Sequence, residues 1–74
     1  MQIRLRTGAM YAYCSEIDIS RDELSRRMGV ASSTAYRVER GDVEPSPKFI
    51  AALMNITGKP FEQLFEIVTE QSVA

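Results

Sequence analysis

The sequence contains no histidine, only one cysteine and no long apolar run. Each absence closes off a class of function. Common zinc sites draw on several thiolates and imidazoles, so they cannot be assembled here. Cys–His and Ser–His–Asp nucleophile systems are excluded for the same reason. No Gly-rich phosphate loop is present either. We therefore expect no enzyme, no metal and no cofactor. Cys14 has no partner for a disulfide within the sequence, which fits a reducing cytoplasm. No apolar stretch approaches the roughly 18 residues of a membrane span. The opening "MQIRLRTGAMYAYCSE" has two arginines and a short, interrupted apolar stretch without a cleavage site. It reads as mature protein, not a signal peptide.

Strong positive charge is also lacking. The net charge is −1, but it is unevenly spread. Residues 1–40 hold every arginine: Arg4, Arg6, Arg21, Arg26, Arg27, Arg37 and Arg40. Glu16, Asp18, Asp22, Glu23 and Glu39 oppose them, leaving this part basic. Residues 41–74 hold Lys48 and Lys59 against Asp42, Glu44, Glu62, Glu66 and Glu70, and are acidic. This split suggests one face for an anionic partner and another for something else.

What is present suits one small domain spanning residues 1–74. Hydrophobic residues make up 45% and charged residues 26%, as in an ordinary folded domain. At 74 residues, roughly 60% of the unfolded surface can be buried, so helices must pack economically.

Residues 2–6, "QIRLR", alternate, with Ile3 and Leu5 on one face of a short strand. Thr7 is expected to cap a first helix with Met10, Tyr13, Cys14 and Ile17 inward, and Gly8 to weaken its first turn. "SRDE", Ser20 to Glu23, is a capping box for a helix from Arg21 to Met28, stopped by Gly29. A third helix follows in "GVASSTAYRVERG", with Ala35 and Val38 buried and Gly41 at its end. Ser46 and Pro47 start a fourth helix bearing Phe49, Ile50, Leu53 and Met54. Gly58 ends it, and Pro60 opens a short fifth helix with Phe61, Leu64 and Phe65 inward. The β-branched tail "FEIVTE" is expected to form a second strand against residues 2–6. The fold class is therefore all-α: a compact five-helix domain with a short two-stranded antiparallel ribbon joining its ends.

Two short helices joined by a Gly-containing turn, at about 21–40, form a helix-turn-helix pattern. The second helix of such a pair presents its first residues to base edges in the major groove. Ser32, Ser33 and Thr34 are short and polar, and Arg37 lies one turn further along. A guanidinium fork matches guanine O6 and N7. Residue chemistry alone leaves a plain solvated face as an equal reading.

The run "SRDELSRRMGVASSTAYRVERGDVEPSPKFIAALMNITGKPFEQLF" resembles the lambda-repressor-like (XRE, Cro/CI type) helix-turn-helix family. The resemblance rests on Leu24, Ser25, Gly29, Val30, "SSTAYRVERG", Pro45-Ser46 and "FEQLF", across about residues 17–65. It implies that Ser32, Ser33 and Arg37 read bases, and that Arg21, Thr34 and Arg40 contact phosphates. Leu24, Val30, Ala35 and Val38 would set the angle between the two helices. Tyr36 and Arg26 are weaker DNA-contact candidates; a ring stacked on sugar–phosphate and a merely exposed ring remain open for Tyr36. The resemblance further implies a small repressor typical of phages or other mobile elements, and because one recognition helix reads too few base pairs, a homodimer at least on DNA is expected.

Four positions depart from the family pattern. Arg21 replaces a common glutamine. Ala31 stands where a capping hydroxyl is usual, forfeiting about 1 kcal/mol. Cys14 occupies the basic position that often pairs with Glu39, so Glu39 needs another partner or water. The loop after Gly41 carries Asp42 and Glu44 where basic residues are common, which would weaken DNA binding.

Arg27, Arg4 and Arg6 read more simply as surface charges, and Cys14, Met10, Met28 and Met54 as core. Phe61, Leu64, Phe65, Ile67 and Val68 suit either the core or a dimer contact. The functional expectation is a sequence-specific regulator that binds double-stranded DNA as a homodimer in the cytoplasm, with no membrane association. A competing reading is a protein-binding module (antirepressor, antitoxin or adaptor) using the acidic C-terminal half.

Overall fold

The computed structural model describes residues 2–69. Its elements are β1 (Gln2–Leu5), α1 (Ala9–Ile17), α2 (Arg21–Met28), α3 (Ser32–Arg40), α4 (Pro47–Thr57), α5 (Phe61–Leu64) and β2 (Phe65–Val68). Five helices and a short antiparallel ribbon match the expected fold class. Gln2 pairs with Val68, Ile3 with Ile67, Arg4 with Glu66 and Leu5 with Phe65. Of the expected strand "FEIVTE", Thr69 lies beyond β2 and Glu70 lies outside the described residues.

Every element contributes to the core. Leu5, Met10, Cys14, Leu24, Met28, Ala35, Val38, Phe49, Leu53, Leu64 and Phe65 are buried together. Phe65 joins the ribbon to the helices. Its ring meets Phe49 edge-on at 6.5 Å and stacks on Phe61 at 5.3 Å. Such pairs add modestly to the area they bury. A two-stranded ribbon is marginal by itself, so this anchorage is what stabilises it. Phe61, Leu64 and Phe65 thus serve the core, whereas Ile67 remains 55% exposed.

The helix boundaries follow local chemistry. Ser20 Oγ accepts from the Glu23 N–H at 3.1 Å, and Ser46 Oγ accepts from the Phe49 N–H at 3.1 Å. The capping box is only half used: the Glu23 carboxylate binds Arg26 and Arg27.

The start of α1 differs from expectation. Thr7 does not cap it; Gly8 is the N-cap, left-handed at φ 79°, with no side-chain cap. Ala9 N–H donates instead to Arg6 O at 3.0 Å, so the chain enters the helix through a tight turn. Gly8 therefore enables the turn from outside the helix. The far end also differs. Asp18 adopts φ 58° and ends α1, leaving Ile17 39% exposed. Ile19 packs against the core in its place.

Candidate nucleic-acid interface

The turn between α2 and α3 is set by Gly29. At φ 76° it lets the chain reverse, with Gly29 N–H donating to Arg26 O and Val30 N–H to Ser25 O. Together these bonds close the C-terminal end of α2. Leu24, Ser25 and Met28 are buried from α2, and Ala35 and Val38 from α3. Ser25 and Ala35 are small, which permits close approach of the two helices. Their other faces remain exposed.

Ser32, Ser33, Thr34, Tyr36, Arg37 and Arg40 are all exposed along α3. Ser33 and Arg37 are four residues apart and share one side of the helix. No side-chain hydrogen bond or ion pair holds Ser33, Thr34 or Arg37 among the described residues. Arg37 therefore projects a guanidinium whose charge nothing in the described fold neutralises. Ala31, the N-cap, makes no side-chain cap bond, and no neighbouring hydroxyl replaces it.

Of the other arginines, all but Arg4 are ion-paired. Arg21 forms a short ion pair with Glu39. This answers the question posed by Cys14: Glu39 takes its cation from the start of α2. Glu39 is mostly buried, at 17% side-chain exposure, so its charge needs this partner. Burial pushes the Cys14 thiol pKa up; the Glu39 carboxylate adds to the rise, and Arg21 opposes it. Arg40 lies 3.4 Å from Asp42. Both Arg21 and Arg40 approach the Tyr36 ring, at 5.7 and 5.3 Å from its centroid. Tyr36 is 48% exposed and sits as a platform for two cations.

Arg26 is bound to Glu23 at 2.6 Å on its own helix. Arg6 is occupied at the ribbon, where Nε donates to Glu62 O at 2.7 Å and Nη1 lies 3.6 Å from Glu66. The guanidinium of Arg4 packs against Gly41. A side chain at Gly41 would meet it, and φ 82° already favours glycine there.

Two partnerships were not foreseen from the sequence, and the first lies on this surface. Asp22 accepts from Ser32 Oγ at 2.9 Å. Glu44, in the acidic loop, accepts from the Ile3 N–H at 2.8 Å. Neither partnership is local in sequence, and neither residue type announces it. Between α2 and α3 lies a groove of about 290 Å³. Arg21, Asp22 and Ser25 line it from one side; Ser32, Ser33, Ala35, Tyr36 and Glu39 line it from the other.

Two short helices at a fixed angle, with the second exposing a polar N-terminal face, define a helix-turn-helix DNA-binding module. A helix-turn-helix family model matches residues 12–64, from within α1 to the last residue of α5. The chain belongs to this family, the XRE or lambda-repressor-like helix-turn-helix proteins. Membership assigns it to the DNA-binding transcription regulators of XRE type. Neither the curated proteins nor the solved structures compared with it give a match. No helix among the described residues is long and apolar enough to cross a membrane.

Proposed function

We propose that residues 1–74 act as one sequence-specific, double-stranded DNA-binding domain, a small repressor of the Cro or CI type. Each protomer inserts α3 into the major groove of one half of an inverted repeat. The observation that carries this reading is Arg37: an exposed, unneutralised guanidinium on the same side of α3 as Ser33. A fork of donors so placed suits guanine O6 and N7. Ser32 and Ser33 read neighbouring bases.

Arg21, Thr34 and Arg40 contact phosphates, with Tyr36 and Arg26 as outer contacts. Pairing with Glu39 or Asp42 does not disable the arginines, because a guanidinium carries five donors and one ion pair uses only some of them. The acidic loop is compatible with this role. Asp42 is countered by Arg40, and Glu44 is spent on the β1 backbone. The loop therefore presents less free negative charge to DNA than its composition implies. One recognition helix reads too few base pairs to be selective in a genome, so binding is by a homodimer. Repression follows from occupying a promoter.

The test is selection of bound duplexes from a random pool, first at low and then at moderate salt. Enrichment of an inverted repeat supports a dimeric regulator. With two phosphate-facing cations per protomer, log affinity falls against log salt with a slope of about −4 or shallower. A pool that stays flat at low salt overturns the proposal and favours a protein partner.

A further inference from the structure

The bond between α2 and α3 bears on which base the domain selects. Asp22 stands exposed in the first turn of α2, and its Oδ1 accepts from Ser32 Oγ, the first residue of α3. A hydroxyl has one hydrogen and two lone pairs, whereas an ionised carboxylate only accepts. With its hydrogen committed to Asp22, Ser32 has only lone pairs left for a base. Asp22 Oδ2 adds a further acceptor beside it. The Ser32–Asp22 pair at the N-terminal end of α3 is therefore acceptor-only, beside the uncommitted hydroxyls of Ser33 and Thr34. Arg37, about 7.5 Å further along the axis, is donor-only.

In the major groove only cytosine N4 and adenine N6 offer donors, while guanine and thymine turn acceptors toward the protein. Adenine also carries the N7 acceptor beside its amino group, which a neighbouring carboxylate repels. Cytosine has no acceptor next to N4. We infer that Asp22 is a specificity-determining positioning residue: through Ser32 it fixes a cytosine at one position of each half-site. This inference rests on the DNA-reading role proposed for α3.

Asp22 also has an ordinary use. A carboxylate in the first turn of a helix is favoured by the helix dipole. That role affects stability and leaves base choice untouched, so the two roles separate experimentally.

The experiment repeats the low-salt duplex selection with the unaltered chain, Asp22→Asn and Ser32→Ala, alongside a thermal melt of each. Asparagine keeps the size of the side chain but offers Ser32 a donor as well as an acceptor, so the hydroxyl is no longer committed to giving up its hydrogen. The unaltered chain should select cytosine at one half-site position. Both variants should weaken that preference about tenfold and leave the rest of the motif in place. A motif unchanged in Asp22→Asn overturns the inference, as does any base other than cytosine at the position that Ser32→Ala disturbs. Either result leaves DNA reading by α3 standing. An unenriched pool from the unaltered chain overturns both.

Discussion

Helices α3 and α4 follow one another in the chain and are built to opposite plans. Helix α4 is self-sufficient. Ser46 caps it, Pro47 opens it, Phe49 and Leu53 are almost wholly buried, and Gly58 closes it. Helix α3 has no side-chain cap and buries only Ala35 and Val38. Its order is supplied from outside: Asp22 holds Ser32, Arg21 holds Glu39, and the Asp42 N–H donates to Arg37 O at 3.0 Å. The contrast teaches where each helix spends its side chains. Helix α4 turns them inward, and α3 leaves most of them outward, held by neighbours along its edges.

The sharpest way to test this contrast is to damage α4. Leu53 is 0% exposed, so Leu53→Ala should cost about 2–5 kcal/mol in urea unfolding. The matching attack on the exposed face of α3 should spare stability. Arg37→Ala should leave the melt unchanged while weakening affinity for the selected operator by about 1–3 kcal/mol and relaxing one base position. A melting loss comparable to that of Leu53→Ala would break the division of labour. Swapping the caps probes it next. Ser46→Ala should destabilise by about 1 kcal/mol, or about 4–8 °C in a domain of this size. Ala31→Ser should raise the melt by up to about the same amount. No gain would mean that neighbouring contacts already hold the start of α3.

The smallest expected effect concerns pH. Burial raises the Cys14 pKa, so the folded chain holds the neutral thiol more tightly than the unfolded chain does. The resulting stability is complete below the ordinary thiol range and is lost as pH rises through the raised folded-state value. Cys14→Ala should flatten this alkaline decline, as read by melts across pH 7–10.

Much of the fold was legible because it is written in local signals. Ser20 and Ser46 as caps, Gly29, Gly41 and Gly58 as stops, and the alternation of residues 2–6 each act over a few residues. Two boundaries escaped for the same reason in reverse. Thr7 has the chemistry of a cap, but the Arg6–Ala9 turn preempted it. Asp18 adopts a left-handed conformation that no glycine advertised, and this moved Ile17 outward and Ile19 inward.

The exposed face of α3 was also legible, since helical spacing with Ala35 and Val38 inward leaves Ser32, Ser33, Thr34 and Arg37 outward. The sequence by itself thus determined the helices, the turn at Gly29 and which residues of α3 face outward. Tertiary structure alone decided which charges remain available on that face. Arg21 finding Glu39, Glu44 finding β1 and Asp22 finding Ser32 depend on distances between separate elements. Composition counts charges, but their pairing within the fold decides how much of each is left for a partner.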